Sequence, residues 1–256
     1  GDAVPSGVDP MIAVSAHDVL ERALDNLYGS DIAQDVDLVT TKNGREVRRH
    51  QLTLLRKKIG GRSHTLFDYR LNNEFYGLRS LRIERSEGVY DRFLYLPEFK
   101  RVRRFSGSQR ADLVLGTNLH FEDLEVRTPA SFAIVGRSVA EYEGVRMHRL
   151  EVEPRHELDY DWADVLIDPE TYAIRRIRYL REGDPEPLRI LTAPADEMVP
   201  FTDRILPSHW IIEEGGTDVR TDVYFRRIRT DPDVKDGLFS ARTLEATPDL
   251  PAFEAR

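Results

Sequence analysis

Two hydrophobic periods divide the chain. Over SAHDVLERALDNLY, residues 15–28, the apolar positions Val19, Leu20, Ala23, Leu24 and Leu27 recur at helical spacing, Ser15 is placed to cap the first turn with Asp18 three positions on, and Gly29 follows as a stop. From Asp35 onward the period becomes two. Phe67, Tyr69 and Leu71 alternate with Asp68 and Arg70, Leu81 and Ile83 with Arg82 and Glu84, and Val223 and Phe225 with Asp222, Tyr224 and Arg226. Such alternation predicts antiparallel strands with one apolar face and one wet face. Turn signals bound them: KNG at 42–44, GG at 60–61, LNN at 71–73, EG at 87–88 and 143–144, DPE at 168–170, EGDPEP at 182–187 and EGG at 214–216. About ten strands fit between these signals.

Turns this short join neighbouring antiparallel strands, so one large curved sheet or barrel is the economical arrangement. No helical crossover of a dozen residues recurs, and there is neither an internal repeat nor a low-complexity segment. Residues 1–14, rich in Gly, Pro and Asp, read as a flexible arm, and residues 15–256 as a single domain. The two-residue period breaks at QRADLVLGTNLHFEDL, residues 109–124, where Leu113, Leu115, Leu119 and Phe121 suit a helical or looped flap over the sheet's apolar side. Just before it, FLYLP is expected to form a strand, Pro97 to Lys100 to reverse the chain, and KRVRRF to return with its arginines outward.

With 256 residues and 40% hydrophobic side chains the chain can bury a sizeable core. The net charge is -8, and the positive charge is nearly all arginine, lysine standing only at 42, 57, 58, 100 and 235. An acidic total argues against nucleic acid as partner. The arginine clusters at 45–50, 100–104, 175–178 and 226–229 each sit inside strand text, where charges on outer faces and edges oppose aggregation. Without cysteine there are no disulfides, thiolate metal sites or thiol nucleophiles. No apolar run reaches about 18 residues, so no segment is expected to span a bilayer. The opening GDAVPSGVDP has neither an initiator methionine nor a charged-then-apolar leader, as expected of a chain whose secretory signal has been removed.

Catalytic patterns are sparse. The seven histidines form no HExxH pair, and a solvated loop or strand end accounts for His120 with Glu122 and for His156 with Asp159 and Asp161. Neither FSGSQ nor GGRSH matches a nucleophile elbow, and no nucleotide-binding loop occurs. The carboxylate neighbours Glu122/Asp123, Glu151/Glu153 and Glu213/Glu214 fit solvated faces. Neither enzyme, nor cofactor, nor metal is expected.

The segment from Phe93 to Glu125 carries L-Y-L-P (Leu94–Pro97), K-R-V-R-R (Lys100–Arg104), S-G-S (Ser106–Ser108), Asp112 with Gly116, and E-D-L (Glu122–Leu124). With IDPETYAIRRI at 167–177 and LFSARTLE at 238–245, it resembles the outer-membrane lipoprotein-sorting superfamily, in its LolA-like branch found with RND-type exporters. That resemblance implies a mainly β (α+β) fold: a half-open antiparallel barrel of ten or eleven strands, its concave apolar face capped by helices, holding acyl chains in the periplasm. It also implies an arginine latch between lid and barrel, which no motif here assigns. On this reading the ligand is a lipid or lipoprotein acyl chain lined by Phe67, Tyr69, Leu71, Leu81, Ile83, Phe93, Tyr95, Val165, Ile167, Trp210, Ile212, Val223 and Phe225. Leu113, Leu115, Leu119 and Phe121 form the lid, and Arg101, Arg103 and Arg104 are candidates for lipid headgroups or for docking on an RND-type transporter or outer-membrane acceptor. A cargo-free periplasmic adaptor is the rival reading and a hydrolase a distant third.

Overall fold

Alternation and turns translate directly into hairpins. The structure, a computed structural model, describes residues 7–87, 89–106, 114, 117–230 and 232–246. In chain order its elements are α1 (Pro10–Ala13), α2 (Ala16–Tyr28), β1 (Ile32–Lys42), β2 (Arg45–Ile59), β3 (Arg62–Tyr69), β4 (Arg79–Ser86), β5 (Val89–Leu96), β6 (Arg101–Ser106), α3 (Phe121–Leu124), β7 (Phe132–Tyr142), β8 (Val145–Pro154), β9 (Trp162–Ile167), β10 (Ile174–Leu180), β11 (Arg189–Thr192), β12 (Met198–Phe201), β13 (Arg204–Pro207), β14 (His209–Glu214), β15 (Val219–Thr230) and α4 (Ala241–Ala246). The protein is mainly β with antiparallel sheets. Fifteen strands stand among the described residues, more than the periodicity suggests, because β11, β12 and β13 are four residues each and too short to show a period.

The β1–β2 hairpin shows how local sequence sets register. Asn43 and Gly44 form a two-residue loop with φ of 51° and 74°, the type I′ geometry that matches strand twist, and Lys42 then faces Arg45.

The chain forms two compact units. Unit 1 combines residues up to Gly29 with Arg127–Arg220. Its strands run β14-β11-β10-β9-β8-β7, with β12–β13 as a separate hairpin. Ser15 Oγ accepts from the Asp18 amide, so α2 starts where its cap dictates. Asn26 fastens α2 to β13, its Nδ2 donating to the Ile205 carbonyl at 2.7 Å and its Oδ1 accepting from the Ile205 amide at 3.0 Å. A Cβ at Gly29 would collide with the Arg204 guanidinium that grips Asp25, so the helix stop also makes room for that tie. One sheet face carries Leu150, Val165 and Ile177, paired side by side. The other buries Asp164 between Arg149 and Arg178. Burial pushes that carboxyl up, but the hydrogen bonds from Arg149 and Arg178 outweigh it and hold it below its ordinary value.

Unit 2 comprises Ser30–Val126 and the chain from Thr221. Its sheet has the order β6-β5-β4-β3-β2-β1-β15. Leu96 faces Arg101 across the turn at Pro97–Lys100, where Lys100 takes a φ of 48°. Arg101, Arg103 and Arg104 are all exposed on β6, as the sequence leads one to expect.

Candidate ligand-binding face

Directly paired residues of neighbouring strands point to the same side of a sheet, so the register sorts unit 2 into two faces. One row of the first face is Ala33–Leu55–Leu66–Leu81–Phe93. The C-terminal segment closes this face: Val234, Phe239 and Leu244 pack with Ala33, Leu55, Leu66, Leu81 and Ile83, and Phe93, Tyr95 and Val102 flank them. Polar ties hold the cover down. Lys57 Nζ donates to the Val234 carbonyl and pairs with Asp236 at 2.8 Å, and Arg79 Nη1 donates to the Leu244 carbonyl. This face is a sealed hydrocarbon core with one buried ion pair, Arg79–Asp68, at its margin.

The opposite face changes character along the strands. Its first rows are mostly apolar: Val36–Leu52–Tyr69, then Gln34–Leu54–Phe67–Ser80–Leu94, where Gln34 and Ser80 are the polar members. Thr221 on β15 meets Thr40 hydroxyl to hydroxyl at 3.0 Å, and strand alternation puts Val223 and Phe225 on the same side. The next row is cationic. Arg56, Thr65, Arg82 and Arg92 stand side by side on four adjacent strands, ending at Phe105. All three arginines are buried, at 7%, 2% and 6% exposure.

The segment running into β7 lies over this face. Glu125, only 1% exposed, pairs with Arg82 at 3.1 Å and also with Arg92. Arg82 Nη1 donates to the Val126 carbonyl at 3.0 Å, and its guanidinium rests 3.5 Å over the Tyr90 ring. Farther back along the segment Asn118 Oδ1 accepts from Arg48 Nη1, so the cover is tied at two ends. Leu119 and Val114 are fully buried. Buried ion pairs of this kind gain little net stability when complete, yet losing one partner costs about 3–5 kcal/mol. The ion pairs of this cover are buried, whereas the C-terminal cover packs mainly through Val234, Phe239 and Leu244, with the part-exposed Lys57–Asp236 pair beside them.

The expected lining residues divide. Phe67, Tyr69, Val223 and Phe225 share the arginine-row face, whereas Leu81, Ile83, Phe93 and Tyr95 lie on the sealed face, and Leu71 is half-buried in the loop after β3. Val165, Ile167, Trp210 and Ile212 are buried in unit 1. Of the expected lid, Leu119 is buried, Leu113 and Leu115 lie outside the described residues, and only the backbone of Phe121, in α3, is described. Arg104 is tied to Asp91 at 2.7 Å, while Arg101 and Arg103 meet no carboxylate among the described residues.

The wet second face expected of β4 is not there: Arg82 and Ser80 are buried as deeply as Leu81 and Ile83, because both sides of this strand are covered. The arginine row went unseen for that reason. Its signal is an arginine inside an apolar strand, as in LTLLRKK, SLRIE and YDRFLY.

The weaker chemical clusters have structural duties. The His120 amide donates to Asp123, Asp159 pairs with Arg189 at 2.6 Å, and Asp161 accepts from the Glu182 amide. His17, Asp18 and Glu21 gather on the exposed side of α2.

Comparison with solved structures places this fold. A domain from Vibrio parahaemolyticus named for outer-membrane lipoprotein sorting superposes with a TM-score of 0.80 at 17% identity, covering 90% of this chain and 97% of that one. A DUF1329 family protein from Desulfovibrio piger gives 0.78 at 19%, covering 93% and 100%. A LolA superfamily protein from Nitrosomonas europaea gives 0.70 at 14%, covering 89% and 98%. The fold is thus that of the LolA-like lipoprotein-sorting proteins. Residues 61–246 match the model of a family described as an uncharacterized protein, and the chain belongs to that family. No curated protein matches it in sequence.

Proposed function

We propose that this protein is a non-enzymatic periplasmic carrier that shields the acyl chain of a lipid or lipoprotein on its way to the outer membrane. The observation that carries the reading is the arginine-row face of unit 2: apolar rows around Leu54 and Phe67 lie beside a cover tied through Glu125 and Asn118. Hiding a chain from water yields about 0.8 kcal/mol per CH₂ and needs no catalytic group. A cover held by ion pairs opens at a cost that an incoming chain can offset, which supplies release as well as capture. Arg82 and Arg92 fill the latch role that the sequence leaves unassigned. In this reading the sheet is one wall of a half-open barrel, Phe67, Tyr69, Val223 and Phe225 line the acyl site, and Leu119 belongs to the lid.

The folds of lipoprotein-sorting proteins support the assignment, and no described helix is long and apolar enough to cross a membrane. The test is native mass spectrometry of protein purified without detergent, followed by added fatty acyl ligands. Bound lipid or stoichiometric uptake is expected; a chain that never takes up an acyl ligand contradicts the proposal.

A second reading is favoured by β6. Arg101 and Arg103 project from an exposed strand and suit docking on an acidic surface, of an RND-type exporter or an outer-membrane acceptor. A pull-down that recovers a transporter with a protein that binds no lipid would make it an adaptor instead.

A further inference from the structure

We infer that the ligand is an anionic amphiphile whose oxyanion headgroup is read by the row Arg56, Thr65, Arg82 and Arg92, with Glu125 holding that place when no ligand is bound. This rests on the carrier reading and adds the chemistry of the headgroup. Three observations converge. First, Arg82 and Arg92 face each other directly on β4 and β5. Paired residues there stand about 5 Å apart, and like charges in such pairs are destabilising. Burying both guanidinium groups makes an anion between them a requirement. Glu125 supplies one now, reaching both arginines from a segment outside the sheet.

Second, the row and its neighbour hold polar groups beyond those Glu125 uses. The hydroxyls of Thr65, facing Arg82, and Ser80, two positions from it on the same side, are buried at 2% and 3% and have no hydrogen-bond partner among the described residues. Unmade hydrogen bonds in such burial are costly, and an oxyanion with several lone pairs would satisfy them together with the arginine forks. Third, the row sits at the end of an apolar strip. One step of two residues along a strand, about 7 Å, leads from Arg82 and Thr65 to Ser80 and Phe67, and the next reaches Tyr69. An acyl chain on Phe67, Leu54 and Leu52 therefore has its head within reach of the guanidinium groups.

A phosphate ester and a fatty carboxylate share this chemistry, and three probes of equal chain length separate the cases: dodecyl phosphate, laurate and neutral monolaurin. Calorimetric titration of the wild-type chain should show one or both anionic probes binding at least about tenfold more tightly than monolaurin, the difference expected from charge-assisted hydrogen bonds. Dodecyl phosphate ahead of laurate assigns a phosphate head, and the reverse a carboxylate. Arg92→Gln should bring the anionic probes down toward monolaurin, and Glu125→Gln should tighten the anionic probes alone. Thr65→Val, which leaves every charge in place, should weaken the anionic probes as well and covers the case in which Arg92→Gln does not fold. Equal affinity for all three probes in the wild-type chain overturns the inference while the carrier reading stands. Binding of none of them removes the carrier reading itself.

Discussion

The two faces of the unit 2 sheet are built from the same strands and closed with different balances of hydrocarbon and charge. On the sealed face Leu55, Leu66 and Leu81 meet Val234, Phe239 and Leu244 of the C-terminal segment. On the other face Leu54, Phe67 and Ser80 form the row beside Arg82, which pairs with Glu125 of a segment outside the sheet. Hydrocarbon contact is non-directional and hard to reverse in part, since each exposed CH₂ costs about 0.8 kcal/mol. An ion-pair fastening is directional and can be exchanged for another anion at little net cost. The difference teaches that the alternation of a strand assigns neighbouring residues to covers of different chemistry, and on the proposed carrier function the one fastened by buried ion pairs is the one that exchanges.

The sharpest ways to break this comparison start with charge. Glu125→Gln strips Arg82 and Arg92 of their shared carboxylate and should lower unfolding free energy by about 3–5 kcal/mol in urea titrations. A loss within 1 kcal/mol would mean that the pairs do not fasten the cover. Next come two adjacent leucines. Leu54→Ala and Leu55→Ala should each cost about 2–5 kcal/mol of stability, because both are essentially fully buried. Only Leu54→Ala should also weaken acyl binding, by roughly tenfold for the lost contact. Equal effects on binding from both would erase the distinction between faces.

Acid probes the rim of the sealed face. Asp91 accepts from Arg104 and Arg85, and those hydrogen bonds hold its carboxyl below the ordinary 3.8. With the folded value depressed, its contribution is complete above the unfolded value and disappears as pH falls through the lower folded one. Asp91→Asn should therefore flatten stability against pH below about pH 4, a slope that acid titration of the melting temperature measures. Smallest of all, Arg101→Glu with Arg103→Glu should change stability by no more than about 0.5 kcal/mol, as both are exposed, while reducing recovery of any acidic docking partner.

Much of this architecture was legible in the sequence, and particular residues show where legibility stops. Ser15 and Gly29 bound α2 as their chemistry requires, KNG forms its two-residue turn, and FLYLPEFKRVRRF forms the β5–β6 hairpin with its arginines exposed. Those features depend on neighbours a few residues away. Face assignment depends on what lies over the sheet, and here that comes from segments distant in sequence. Leu81 and Arg82 read as inside and outside, yet both are inside, because residues 232–246 cover one and Glu125 pairs with the other. Phe67 and Phe93 look equivalent as strand aromatics, but the register places them on opposite faces. The arginine row needs four strands in register before it exists, and no single stretch of sequence contains it.

Photo-crosslinking with a diazirine-bearing fatty acid, mapped residue by residue, tests the central claim most directly. Labels on Leu52, Leu54, Phe67 and Tyr69, with Leu55, Leu66 and Leu81 unmarked, are the predicted result. Labels on the sealed face, or no specific labelling at all, would contradict it.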